Sequence, residues 1–356
     1  MPRDTAFLLV SFGGPEGPDD VMPFLRNVTA RRDVPDERLA AVAEHYYQFG
    51  GVSPINGQCR DLLDAVGKDF AASGIDLPLY WGNRNWDPFL ADTLRTMAAD
   101  GVTRAIAFAT SAYSSYSSCR QYLDDIDRAR AAVGDSAPAV VKIPPYYRHP
   151  AFAASFAGST ARAIASLPAA VSGDAELIFT AHSIPDSMAA TSGPAGAGGA
   201  YPAQLAEVAA LVAARLGRSR WRLAYQSRSG PPAVPWLGPD VNDAIADAAR
   251  SGAPAVVLVP IGFVSDHMEV VYDLDFEAAR TAADLSLPMA RAATPGTDPG
   301  FVSMISALVR DYAAGVAGDA VAALGSAPVA LCHELCCGSG EDRAARLTGG
   351  GAAARA

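Results

Sequence analysis

Short apolar runs recur along the chain, separated by longer stretches in which apolar residues return every three or four positions. TAFLLVS (Thr5 to Ser11), LPLYWG (Leu77 to Gly82), TRAIAFAT (Thr103 to Thr110) and APAVVKI (Ala137 to Ile143) form a first set. AELIFTAH (Ala175 to His182), RLAYQS (Arg222 to Ser227), PAVVLVPIGF (Pro254 to Phe263) and LPMARAA (Leu287 to Ala293) form a second. Continuous runs of this length read as strands buried on both faces. The segments between them, such as DRARAAVG and PAQLAEVAALVAARLG, carry Ala, Leu and Val at helical spacing. Strand and helix alternate, which predicts parallel sheets joined by crossover helices, with four strands in each of two doubly wound α/β halves. The halves open alike, TAFLLVSFGGP against AELIFTAHSIP, as a duplicated unit would. TSGPAGAGGAYPAQ (Thr191 to Gln204) predicts a mobile loop, and residues 346–356 a disordered tail.

Open parallel sheets bind ligands beyond the carboxyl ends of their strands, so the residues that follow each run carry the candidate chemistry. In FTAHSIPDS, His182 closes a predicted strand. A histidine there can be a proton acceptor or ligand, or a hydrogen-bonded strand end. In GFVSDHMEVVYDLDFEAA, Glu269, Asp273 and Glu277 recur every fourth residue and fall along one face of a helix at about 100° per residue. A solvated acidic face is the commoner meaning of that spacing. Val270, Val271, Leu274 and Phe276 surround the row, however, and a line of carboxylates running from solvent into a cleft is a track for a divalent cation. In YQSRSGPPAVPWLGPD, Trp236 stands among prolines that could build a rigid, flat apolar wall or simply cover the core.

Charge and cysteine content narrow the field. With 28 Lys and Arg against 38 Asp and Glu, the net charge of −10 argues against nucleic acid or an anionic membrane surface as main partner. The first apolar run is too short to span a bilayer and lacks a signal-peptide cleavage pattern, so the expectation is a cytoplasmic protein without transmembrane segments. No P-loop, GxGxxG, GxSxG or HExxH motif occurs. Three of five cysteines crowd into LCHELCCGSG, which in a reducing compartment favours metal or cluster binding over disulfides. Cys59, in INGQCRDLL, reads as a small buried residue.

Six blocks, LLVSFGGPEGPDDVMPFL, YYQFGGVSPINGQ, TSAYSSYSSCRQY, TAHSIP, YQSRSGPPAVPWLGPD and GFVSDHMEVVYDLD, resemble the ferrochelatases in the family's order, from about residue 5 to about residue 310. The resemblance implies two similar Rossmann-like domains, each a four-stranded parallel sheet flanked by helices, with a cleft between them. Domains over 1–147 and 148–311 follow, with segment 312–345 packing back on the first. It implies insertion of ferrous iron, as substrate, into a porphyrin in haem biosynthesis. His182 matches the family's active-site histidine, as proton acceptor or transient metal ligand, and Glu269 the acidic residue facing it across the cleft. Asp273 and Glu277 match the acidic row leading outward. Trp236 matches the cleft wall, and Tyr46, Ser53 and Tyr122 match contacts to porphyrin propionates. Phe12 stands where some relatives carry a tyrosine, so that face packs against the macrocycle without ligating metal. His45 replaces an arginine that helps hold a propionate in some relatives.

The same resemblance implies a [2Fe–2S] cluster on Cys119, Cys332, Cys336 and Cys337. Zinc is the alternative there, with His333 able to replace one thiolate. The SFGGPEGP and AYSSYS blocks resemble actinobacterial members, which favours coproporphyrin III over protoporphyrin IX. A monomer is expected, meeting other haem-pathway enzymes only transiently. A porphyrin or haem carrier would need no proton acceptor, and an iron–sulfur sensor would put the cysteines first. A sirohydrochlorin chelatase would lack the QSRSGPP and WLGP block.

Overall fold

The computed structural model describes residues 4–30, 34–194, 198–230, 232–317 and 337. Eight strands form two four-stranded sheets. The first half contributes β1 (Thr5–Ser11), β2 (Leu79–Asn83), β3 (Arg104–Ala109) and β4 (Ala139–Lys142), and the second β5 (Glu176–His182), β6 (Trp221–Gln226), β7 (Val256–Val259) and β8 (Met289–Arg291). All pairings are parallel, in the orders β2, β1, β3, β4 and β6, β5, β7, β8, so each half repeats the other's topology.

Each expected run contains a strand, and burial separates central from edge strands. The central β1 and β5 are buried almost throughout, and all four residues of β7 are buried, whereas the edge strands β2, β4, β6 and β8 are partly exposed. The expectation of burial on both faces therefore holds only for strands with a neighbour on each side. β7 stops at Val259 because Pro260 has no N–H to continue the ladder.

Alternate residues of each central strand feed different cores. Phe7 and Leu9 of β1, Phe108 of β3, Leu177 and Phe179 of β5 and Val257 of β7 share one cluster that runs through both halves. Helices Pro150–Ser166 and Pro299–Ala317 complete it with Phe152, Phe156, Phe301 and Ile305. Ala6, Leu8 and Val10 face a separate cluster with Leu94 and Met97, and Ile178, Val256 and Leu258 face another with Ile245 and Leu274.

One expectation shifts. The loop expected over Thr191 to Gln204 ends early, because helix Ala200–Arg215 starts within it, with Pro202 in a first turn that needs no donor there. The residues on either side of 311/312 lie in one continuous helix, Pro299–Ala317, which packs on helix Ile55–Ala72 of the first half. Ser303 Oγ donates to Asp69 at 3.1 Å, Ser306 bonds the same carboxylate, and the Phe301 ring lies 6.1 to 6.4 Å from Phe108, Tyr146 and Phe152. Truncating this fully buried ring opens a cavity where both halves meet, so Phe301→Ala should cost about 3–5 kcal/mol in urea denaturation. A loss below about 1 kcal/mol would show that the helix is not part of the common core.

Candidate active site

β5 and β7 are neighbours in one sheet, so their carboxyl ends deliver side chains to one place. His182 ends β5. Its carbonyl accepts from Tyr201 Oη at 2.9 Å, and its Nδ1 lies 2.5 Å from the Ser183 carbonyl oxygen. A proton on Nδ1 satisfies that carbonyl and leaves Nε2 as the acceptor. After β7 the chain turns at Gly262, whose N–H donates to the Thr180 carbonyl at 3.0 Å. A Cβ at Gly262 would stand 2.6 Å from that of Ala181, so only glycine lets this loop lie against β5. The loop then brings in His267, whose Nδ1 accepts from Glu269 N–H at 3.2 Å and caps the next helical turn.

Glu269 Oε2 lies 3.5 Å from His182 Nε2 and 3.8 Å from His267 Nδ1. The pair comes entirely from the second half, so Glu269 stands beside His182 and not across the cleft as the resemblance implied. Both groups keep contact with cleft water, at 33% and 49% side-chain exposure. Burial works against an imidazolium at His182, but the Glu269 charge and hydrogen bond, the Ser183 carbonyl and Asp273 together raise its pKa above the usual 6.5. At Glu269 burial favours the neutral acid, and the two histidines override it, holding the carboxyl well below its usual range. Burial, followed by the nearby histidine charge, keeps His267 low, as its capping role requires.

The acidic row continues on Val271–Ala278, whose backbone forms a π-helix. Its hydrogen bonds reach five residues back, so the 100° period used to align the row does not apply there. Asp273 is half-buried and lies along the chain between Glu269 and Glu277, both of which are exposed. Ser227 Oγ donates to Asp273 Oδ2 at 2.5 Å, and Ser227 takes a left-handed backbone conformation (φ 60°) to do so. Gln226 Nε2 reaches Asp273 at 3.4 Å and the Glu269 carbonyl at 3.1 Å, while its buried Oε1 has no hydrogen-bond partner among the described residues. Burial first, then the charges of Glu269 and Glu277, push Asp273 up to about 7 in spite of the Ser227 hydrogen bond.

Opposite this acidic wall the residues after β1 and β2 form an aromatic one. The Phe12 ring packs edge-on to Phe24 at 6.2 Å, and the Arg84 guanidinium is layered between Phe12 (5.4 Å) and Tyr122 (4.6 Å) while paired with Asp125. Asn85 donates to the Phe12 carbonyl from both its backbone and its side chain. Beneath Phe12, Ser11, Asn83 and Asn56 form a buried hydrogen-bonded chain ending on the Gly14 carbonyl. Ser53 is 4% exposed and packs under Gly14, where a Cβ would approach it to 2.7 Å. Tyr46 joins Phe24 at 6.0 Å, and burial followed by the Glu269 and Asp273 charges holds its hydroxyl protonated. His45 stacks on Tyr272 of the π-helix, with ring centroids 3.7 Å apart and planes nearly parallel at 5°. Trp236 borders Gly230 and forms a bridge to Pro185, with a buried indole N–H that has no partner among the described residues.

The structure thus brings His182, Glu269, Asp273 and Tyr46 together and joins Phe12 to Tyr122 through Arg84. Ser53 is set into the floor beneath the Gly13–Gly14 turn. Sequence reasoning passed over Arg84, Gln226, Ser227 and His267. Arg84 was open to the strand-end rule, since it follows LPLYWG, and Gln226 and Ser227 close RLAYQS. Cys59 is buried, and burial pushes its thiol up to about 11, matching its reading as a core residue. Cys119 and Cys337 are both buried, and Gly193 N–H donates to Cys337 Sγ at 3.1 Å. Cys332, Cys336 and His333 lie outside the described residues, among which no group of three or more His, Cys, Asp or Glu could hold a metal ion.

Two parallel-sheet halves that set a histidine, a carboxylate row and an aromatic wall at their strand ends define a chelatase-type α/β protein. The sirohydrochlorin chelatase of Bacillus subtilis subspecies spizizenii, solved with cobalt, shares this fold at TM-score 0.52 and 10% identity, over 88% of this chain and 96% of that one. The ferrochelatase family model matches residues 4–313. The coproporphyrin III ferrochelatase of Streptomyces coelicolor is 51% identical over 342 residues, covering 93% of this chain and 91% of the relative. That of Nocardia farcinica is 52% identical over 313 residues, covering 88% and 89%. A ferrochelatase of Rhodopirellula baltica is 53% identical over 313 residues, 87% of each chain. The chain belongs to the ferrochelatase family, enzymes whose substrates are ferrous iron and a porphyrin.

The raised Asp273 pKa makes a signed prediction about stability. Its carboxyl titrates at about 7 when folded and at 3.8 as a free group, so the folded state binds that proton more tightly. The negative charge therefore costs stability above pH 7 and nothing below about pH 4. Asp273→Asn should gain stability relative to the parent as pH rises from about 5 to about 8, by about 1–3 kcal/mol after screening by cleft water. A difference that does not change with pH in urea denaturation would contradict this.

Proposed function

We propose that the protein inserts Fe2+ into coproporphyrin III in haem biosynthesis. The chemistry rests on the placement of His182 Nε2 3.5 Å from Glu269 at the inner end of an acidic row. The choice of porphyrin rests on relatives about half identical to this chain that carry that activity in their names.

Insertion exchanges a divalent cation for two pyrrole protons, so the site must accept protons while it admits positive charge. His182 Nε2 is the acceptor, because its other nitrogen is occupied by the Ser183 carbonyl. Glu269 stabilises the resulting imidazolium and, as a persistent carboxylate, the incoming cation. Asp273, titrating at about 7, holds a proton in part of the molecules near neutrality and can pass it toward Glu277 and solvent. Hard carboxylate oxygens exchange water-bound Fe2+ readily, so the same row serves metal inward and protons outward. Phe12, fixed from below and layered on Arg84, and Trp236 hold the macrocycle by apolar contact. A carrier would have no use for a proton acceptor beside an acidic row.

The proposal includes a [2Fe–2S] cluster on Cys119, Cys332, Cys336 and Cys337, with zinc as the alternative. Two of these thiols, Cys119 and Cys337, are buried, and Gly193, which precedes helix Ala200–Arg215, donates to Cys337 Sγ. A backbone N–H on sulfur favours the thiolate that a metal needs. Such a cluster would pin the tail to the Cys119 region and act on stability or redox sensitivity. The enzyme is further read as a cytoplasmic monomer that meets other haem-pathway enzymes transiently. No helix among the described residues is long and apolar enough to cross a membrane.

Anaerobic turnover of the two porphyrins tests the substrate. The expected kcat/KM for coproporphyrin III exceeds that for protoporphyrin IX by about tenfold or more, because a site that pairs propionates rejects a vinyl in their place. Equal efficiencies would withdraw the choice of porphyrin. Anaerobically purified protein should absorb at roughly 400–600 nm and lose that absorbance in Cys336→Ser. A colourless parent protein would refute the iron–sulfur assignment.

A further inference from the structure

Five carboxylates stand between Asp266 and Glu277, and two of them, Asp266 and Asp275, belong to neither the His182 pair nor the row. Both meet Arg291, the last residue of β8. Its Nε and Nη2 donate to Asp275 at 2.5 and 2.9 Å, and its Nη1 and Nη2 to Asp266 at 3.2 and 3.1 Å. The remaining Nη1 donor reaches the Ala292 carbonyl at 3.4 Å, so all five N–H groups are used. The guanidinium is 17% exposed and Asp266 14%, so that arm of the cross-link is shielded from solvent, while Asp275, at 37%, stays partly open to it.

The two carboxylates occupy telling places. Asp266 directly precedes His267, and Asp275 lies on the π-helix midway between Asp273 and Glu277. Asp266 is tied further: its carboxylate accepts from Thr294 Oγ1 at 3.1 Å, and its N–H donates to Gln58 Oε1, on a helix of the first half, at 2.8 Å. A π-helix is intrinsically a poor helix, with few long examples, so its position must come from outside contacts. We infer that Arg291 is a positioning residue for metal entry, clamping the loop that carries His267 and Glu269 to the π-helix that carries Asp273 and Glu277. By pairing Asp266 and Asp275 it also withholds two carboxylates from the cation, leaving the cleft-facing ones to bind it. This inference rests on the reading of the row as the metal's path.

Steady-state kinetics under anaerobic conditions, with Fe2+ and coproporphyrin III varied separately, test it. Arg291→Gln should raise the KM for Fe2+ about tenfold and leave the KM for porphyrin within about twofold and kcat at saturating Fe2+ near the parent value. Arg291→Lys should recover only part of this, since an ammonium cannot form two forks. Asp275→Asn, which leaves the guanidinium in place, should raise the KM for Fe2+ about threefold. That variant serves if Arg291→Gln does not fold. An unchanged KM for Fe2+ in the folded variants, or an equal rise in both KM values, would overturn the inference. Asp273→Ala run in parallel separates the two readings. If it too leaves the KM for Fe2+ unchanged, the row itself is misread, and if it alone raises that KM, only the role of Arg291 falls.

Discussion

The structure depends most on one contact, the 3.5 Å approach of His182 Nε2 to Glu269 Oε2. It sets a base whose charged form is favoured next to a carboxylate that stays charged, in a cleft open to water. Such a pair is poised to take a proton without collapsing into a dry ion pair. Its geometry follows from sheet topology, because β5 and β7 are adjacent, with Val259 at the end of β7 paired to Phe179, and β5 runs on past it to His182. Gly262 permits the close approach, Tyr201 fixes the His182 carbonyl, and His267 caps the turn on which Glu269 is carried.

The two cleft walls divide the work. The second half supplies a row of carboxyls, from a persistently ionised Glu269 through a half-buried Asp273 near its midpoint at neutral pH to Glu277. The first half supplies flat apolar surface held rigidly from behind, with the Arg84 charge neutralised by Asp125. His45 and Tyr272 join the walls by ring stacking. In the proposed reaction, positive charge is drawn to one wall and the macrocycle to the other.

Much of this was legible in the sequence, for physical reasons that differ from element to element. Eight strands could be read because burial demands uninterrupted apolar runs, most strongly in β1, β5 and β7. The same signal could not separate edge from centre, since sheet order is set by contacts remote in sequence. The start of helix Ala200–Arg215 was hidden by glycine and alanine, which suit both a loop and a first turn. The π-helix has no sequence signature, so the four-residue spacing of the acids pointed to the row but implied the wrong helix. His182 and Glu269 were each legible from their strand ends, whereas their place on one side of the cleft required the β5 and β7 pairing. Arg291 was invisible as a clamp because its two partners lie 16 and 25 residues away and meet it only when β8 joins the sheet.

In the proposed reaction His182 accepts the protons that iron displaces. The most direct measurement is anaerobic single-turnover metalation of bound coproporphyrin III by His182→Ala, with porphyrin binding followed separately by fluorescence. Retained porphyrin binding and a metalation rate lower by about a hundredfold or more, the scale of a lost general base, are expected. Metalation at the parent rate by a variant that binds porphyrin normally would contradict it.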